Sequence, residues 1–306
     1  MSSIPVIRQG RDRLKEIVPL SVRRKLVLAR HRWRSWSAES RVLPDFLIIG
    51  CQRGGTSSIY RYLGQHPQIA PSLRKETEFF TARYGLGERW YRANFPHSLR
   101  MRLARLRGKK LLTFEATPDY LFDPRAPGRA REMLPDARIV LLLREPGERA
   151  VSQYHHNVRL GLESETLERA IELEDERLAA DLVELEADSL SPVTAFRRFS
   201  YVTRGQYAPQ LERWFATYPR DQILVLESEA FFQHPDDVLQ RILAFVGADP
   251  WQPAEFRNHS YSVQESAGHR EVPEAVSEVL EGKFALSNQA LGDLIDEEIS
   301  WLAHNK

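Results

Sequence analysis

The sequence predicts a three-layer α/β fold, a mainly parallel central sheet with helices on both faces, and three observations carry that expectation. First, four short apolar runs at residues 46–49, 111–114, 139–143 and 223–226 are continuous rather than alternating in hydropathy. Continuous runs are the mark of strands covered on both faces. Second, helical patterns at 57–63, 126–134, 207–218 and 235–246 separate or follow those runs, and strands alternating with helices imply crossover connections and parallel pairing. Third, 306 residues with 42% hydrophobic and 28% charged side chains suffice for a sizeable core. A basic arm over 1–43 followed by one domain over 44–306 is the economical organisation, with no internal repeat or low-complexity segment.

The arm comes first. Residues 1–44 hold eleven Lys and Arg against Asp12, Glu16 and Glu39, interspersed with Leu14, Ile17, Leu26, Leu28, Trp33 and Trp36. Such a segment either packs as a helical arm on its own domain or lies on an anionic membrane surface. Arg8, Arg11, Arg13 and Lys15 interrupt any signal-peptide core. No apolar stretch reaches the roughly 18–20 residues of a membrane span. Cys51 is the only cysteine, which excludes an intrachain disulfide and a cysteine-built metal site. The expectation is a soluble, cytoplasmic protein, peripheral to a membrane if the arm binds one. A net charge of +1 gives no reason to expect a nucleic-acid partner.

In parallel sheets, ligands sit at the carboxyl ends of strands. The first strand runs into Gly50-Cys51-Gln52-Arg53-Gly54-Gly55-Thr56-Ser57-Ser58 and then a helix. Glycines let backbone amides approach an anion, the helix N-terminus adds N–H groups and a favourable dipole, and three hydroxyls stand alongside. This is a phosphate cradle by composition and position. It is not a Walker A loop, because Gly50 and Gly55 have the right spacing but Thr56 stands where the lysine belongs. Arg53 is the cation instead.

The strand at 139–143 ends in Arg144-Glu145-Pro146-Gly147-Glu148-Arg149-Ala150-Val151-Ser152. Arg144 can fork onto a phosphate, with Ser152 two turns along the next helix, or pair with Glu145 or Glu148. Residues 163–188 carry eleven acidic residues against Arg169 and Arg177. They predict a solvated helix with Leu167, Ile171, Leu178 and Leu182 facing inward. His155 and His156 either cap and pack or line a cleft. Trp90, Tyr91, Tyr207 and Trp214 read as core.

Together these segments resemble the PAPS-dependent sulfotransferases, in particular the heparan-sulfate-type branch and its bacterial relatives. The stretch from Ile48 to Ser57 looks like the family's 5′-phosphosulfate loop, and that from Arg144 to Ser152 like its 3′-phosphate motif. Lys75-Glu76-Thr77-Glu78-Phe79-Phe80, Glu88-Arg89-Trp90-Tyr91, Glu115-Ala116-Thr117-Pro118-Asp119-Tyr120 and Arg204-Gly205-Gln206-Tyr207 match in order and spacing. The likeness covers roughly residues 44–300 and implies a P-loop-like fold.

It further implies that Arg53, Gly54, Gly55, Thr56, Ser57 and Ser58 hold the 5′-phosphosulfate, that Arg144 and Ser152 hold the 3′-phosphate, and that Glu76 is the general base. Arg53 would also steady the leaving group. The implied product is PAP, no metal is called for, and the acceptor would be a hydroxyl or amine on a carbohydrate, glycolipid or small metabolite. Three departures stand out. Arg53 replaces the family's usual lysine, and Ala116 stands where the eukaryotic heparan enzymes usually carry one, so a second catalytic cation is either missing or supplied by another residue such as Lys75. Ser266-Ala267-Gly268-His269-Arg270 only loosely resembles the family's last phosphate loop, with Arg270 as the candidate contact. A nucleotide-dependent kinase and a non-catalytic nucleotide-binding protein are the alternatives. The missing Walker lysine weighs against the kinase, and the joint presence of Arg53, Glu76, Arg144 and Ser152 weighs against lost activity.

Overall fold

Five parallel strands form the sheet: β1 (Phe46–Gly50), β2 (Ile69–Pro71), β3 (Leu112–Ala116), β4 (Arg138–Leu143) and β5 (Ile223–Glu227). Their spatial order is β2-β3-β1-β4-β5. The computed structural model describes residues 20–191, 193–256 and 273–303, so Arg270 lies outside the described residues. The helices used below are α1 (Leu20–Ser35), α2 (Thr56–Leu63), α3 (Ser98–Leu106), α4 (Ala126–Met133), α5 (Pro146–Arg159), α6 (Leu167–Glu172), α7 (Glu174–Glu186), α8 (Ala208–Thr217), α9 (Pro235–Val246) and α10 (Glu274–Leu294).

The apolar runs do what continuous hydropathy predicts. Alternate side chains of each strand enter separate cores on the two faces of the sheet. Leu47, Ile49, Ile139, Leu141, Leu143, Ile223 and Val225 pack with Tyr91, Tyr120, Tyr207, Leu211 and Trp214 on one face. Phe46, Ile48, Phe114, Val140, Leu142 and Leu226 pack with Ile59, Leu63 and the apolar side of α9 on the other. Tyr91, Tyr207 and Trp214 are core as expected, while Trp90 is half-buried and faces Phe79 and His31.

Residues 31–41 pack on the domain. His31 Nε2 lies 3.0 Å from the Trp90 carbonyl, and Arg34 and Arg41 donate to the carbonyls of Ala93 (2.6 Å) and Phe95 (2.9 Å).

The acidic run differs from its prediction. It is two helices, α6 and α7, broken at Leu173, which serves as C-cap of one and N-cap of the other. Leu167, Ile171 and Leu178 are buried as expected and Leu185 joins their stripe, whereas Leu182 is exposed. Nor is the run wholly solvated. Buried Glu174 accepts from the backbone amides of Tyr201, Val202 and Thr203 at 2.7–2.8 Å. Glu163 forks onto Arg177 and accepts from the Tyr201 hydroxyl.

Candidate active site

Because all five strands are parallel, their carboxyl ends lie on one edge of the sheet, and the segments singled out in the sequence follow those ends. The loop after β1 occupies the middle, between β3 and β4. Its turn needs unusual backbone: Arg53 has φ 70° and Gly55 φ 91°. Gly55 is the N-cap of α2, and no side chain caps that helix. Gly54 is required for packing, since an added Cβ would meet Cys51 Sγ at 2.7 Å and Ser228 Oγ at 2.8 Å. Thr56 and Ser58 are nearly buried, whereas Ser57 is half-buried.

The loop after β4 closes on the first one. Glu145 caps α5 by accepting from the amides of Gly147 (2.9 Å) and Glu148 (2.5 Å), and Pro146 occupies the first helical turn, where its missing N–H costs nothing. This aims Ser152 back at the β1 loop, where its Oγ accepts from Arg53 Nε at 3.0 Å. Arg144 donates to the Arg53 carbonyl at 3.2 Å and to Glu148 Oε2 at 2.9 Å, so the alternative salt bridge is present as well. Its Nε is buried without a partner, as is the Oε1 of Gln52. Burial, with Arg144, Arg159 and Arg149 nearby, draws the Arg53 guanidinium down to about 10. A site that holds this much positive charge out of water is one that an anion would stabilise. His156 also faces this cluster: its Nδ1 is 2.9 Å from Arg159 Nη2, and burial together with Arg53 and Arg159 lowers its pKa.

Glu76 follows β2 at the sheet edge. Its carboxylate pairs with Lys75 at 3.2 Å and is partly exposed. Burial pushes its pKa up, opposed by Lys75 and aided by Asp119 and Glu78. A carboxylate whose pKa is raised is a stronger proton acceptor than a free one.

What holds Glu76 in place was not legible in the sequence as a function. Glu115, fully buried on β3, accepts from the hydroxyls of Thr77, Tyr91 (2.6 Å), Tyr120 (3.0 Å) and Thr117 (3.1 Å). The Tyr120 hydroxyl in turn accepts from the Phe79 amide at 2.8 Å. One buried carboxylate thus clamps the segment that bears Glu76 to the sheet.

Asp119 does the same further on. It accepts from Arg204 Nη1 (2.6 Å) and Arg197 Nε (2.7 Å), and Arg197 also pairs with Glu78 at 2.7 Å. Burial alone would raise Asp119; the two arginines more than offset it and leave its pKa lowered. Asp119 and Arg149, whose guanidinium reaches Gln153 (2.6 Å) and the Tyr201 carbonyl (2.5 Å), tie the 200–205 turn to the segments after β3 and β4, and Glu174 ties it to α7. Only the pairing of acid and base in tertiary structure marks these as positioning groups, and no local pattern in the sequence does so.

Among the described residues, no helix is long and apolar enough to cross a membrane. A family model described as the sulfotransferase domain matches residues 43–266. The chain is 27% identical over 272 residues to the bifunctional heparan sulfate N-deacetylase/N-sulfotransferase 1 of Caenorhabditis elegans, covering 81% of this chain and 29% of that protein. It is 29% identical over 210 residues to the heparan sulfate glucosamine 3-O-sulfotransferase 3B1 of Mus musculus, covering 69% and 47% respectively. The chain therefore spans less than half the length of either relative. Among solved structures it resembles a sulfotransferase from Alicyclobacillus acidocaldarius, with a TM-score of 0.64 and 27% identity over 86% of this chain and 99% of that one. Since the family match runs through every strand of the sheet and through both loops that meet at Arg53, this chain belongs to the sulfotransferase family.

Proposed function

We propose that this chain transfers a sulfuryl group from PAPS to a hydroxyl or amine on a carbohydrate or small-molecule acceptor. The observation that carries the reading is the contact of Arg53 with Ser152 and Arg144, which joins the loops after β1 and β4 into one cationic cradle. A donor with phosphate groups at both ends of its ribose fits that cradle better than one with a single polyphosphate tail. Arg53 and the turn into α2 would take the 5′-phosphosulfate, with Ser57 the accessible hydroxyl; Arg144 and Ser152 would take the 3′-phosphate. The buried, unpaired Nε of Arg144 supports the fit, because an anion there supplies an acceptor that the protein lacks.

In the transfer, the acceptor O–H or N–H gives its proton to the Glu76 carboxylate as a bond forms from the acceptor atom to sulfur. The bond from sulfur to the bridging oxygen breaks, and the charge released on the 5′-phosphate of PAP is met by Arg53. Lys75, paired with Glu76, is the candidate to replace the lysine absent at Ala116. The carbohydrate acceptor rests on the names of the heparan sulfate relatives, and a cytoplasmic, reducing location on the single, buried cysteine. Calorimetric titration with PAP, ADP and ATP, with and without magnesium, tests the donor. Magnesium-independent PAP binding that weakens at least about tenfold in Arg144→Ala is the expected result. A preference for ATP with magnesium would refute it.

A further inference from the structure

The geometry points to a second functional surface, remote in role from sulfuryl transfer: a docking face for an anionic lipid bilayer, built by α3 with the basic end of α1. The sequence places six Lys and Arg over residues 20–35 and six over 98–111, with no Asp or Glu in either stretch. The segments that adjoin the two stretches pair with each other. Arg41 and His97 form an isolated antiparallel bridge, and Val42 donates to the Pro96 carbonyl at 3.1 Å.

On α3 the two faces are sorted in an unusual way. Ser98, Met101 and Ala104 are its half-buried residues, and Met101 lines a hollow with Val42 and Leu43. Leu99, Leu103 and Leu106, at i, i+4 and i+7, lie together on the opposite side and are 57%, 44% and 83% exposed. Arg100 and Arg102 flank that apolar stripe, and both are exposed. A helix whose outward side is leucine bordered by arginine is poorly suited to water. It matches a bilayer interface, where leucines enter the acyl boundary and arginine stems snorkel to the phosphates. Trp33, 72% exposed at the end of α1, and Trp36, 84% exposed just beyond it, are aromatics of the kind a bilayer interface favours. The neighbouring acids Glu39 and Glu88 are taken up by Arg89 (3.5 Å) and Arg92 (2.5 Å), which leaves the exposed Arg30, Arg32, Arg100, Arg102, Arg105 and Arg107 to set the sign of the surface.

Charge complementarity selects an anionic bilayer as the occupant, and the exposed leucines select lipid over a purely polyanionic partner such as a sulfated polysaccharide. The test is co-sedimentation of the full chain with vesicles of phosphatidylcholine alone and of phosphatidylcholine mixed with phosphatidylglycerol. Binding to the mixed vesicles, absent on phosphatidylcholine, is expected. It should weaken by on the order of tenfold in Leu103→Asp/Leu106→Asp, with PAP affinity unchanged. Should the double variant melt early, Leu106→Asp alone, at the most exposed position of the three, replaces it. No binding to the mixed vesicles overturns the inference. So does binding that the aspartate substitutions leave intact, which would identify a contact with polyanions in general. Because vesicle binding is read without donor or acceptor, it stands or falls independently of the sulfotransferase reading.

Discussion

Glu229 provides the sharpest quantitative test of how the donor cradle is built. It follows β5, its Oε1 accepts from the Glu145 amide at 3.0 Å, and its Oε2 is buried without a partner. Burial pushes its carboxyl from an ordinary 4.5 up to about 7, with the Glu145 amide and Arg144 opposing the rise. Below pH 4.5 the group is neutral in both folded and unfolded chains and costs nothing. As pH rises toward 7 the unfolded chain ionises first, the folded chain retains the proton, and stability falls. Above about 7 the loss is complete and amounts to about 3 kcal/mol. Glu229→Gln removes the titration while keeping shape and the Oε1 acceptor. For a chain of this length that is a gain in melting temperature of about 5 °C at pH 8 and almost none at pH 5. Thermal melts of both proteins from pH 4.5 to 8, followed by circular dichroism, measure it. An equal shift at both ends of the range would refute the argument, because a buried carboxyl that titrates normally has no such pH dependence.

Two further substitutions separate chemistry from scaffolding. Glu76→Gln should lower sulfuryl transfer by about 10²-fold or more in a turnover assay while leaving PAP affinity within about twofold by calorimetry, since a positioned base acts only in the transition state. Asp119→Ala strands Arg197 and the buried Arg204 without their shared carboxylate; denaturant unfolding should show a loss of about 3–5 kcal/mol.

The sheet was largely legible because burial on both faces writes itself into continuous apolar runs. All four runs became strands within about two residues, and the helix at 235–246 was located to the residue. Strand β2 was missed: three residues, Ile69-Ala70-Pro71, carry no period long enough to recognise, and their pairing depends on β3. The acidic run shows a different limit. Nothing in a string of glutamates distinguishes Glu163, which accepts from the Tyr201 hydroxyl, and Glu174, which accepts from the amides of Tyr201, Val202 and Thr203, from those facing water. That distinction exists only once a distant backbone turn arrives to use them. At the site, glycines, hydroxyls and arginines at strand ends announced an anion cradle. The link from Arg53 to Ser152 spans 99 positions and belongs to the tertiary structure.

The strand order assigns the two halves of the proposed chemistry to regions of unequal permanence. The Arg53 loop leaves the central strand and is braced by neighbours on both sides, so displacing it means taking the whole sheet apart. Glu76 leaves the three-residue edge strand, whose sole neighbour is β3. The Glu115 clamp pins the segment beyond that strand, but the strand itself is held by one ladder rather than two, and its amides should exchange with solvent ahead of those in β1. With the donor loop held by the centre of the sheet and the base by its margin, loosening of the margin would cost turnover before it cost donor binding.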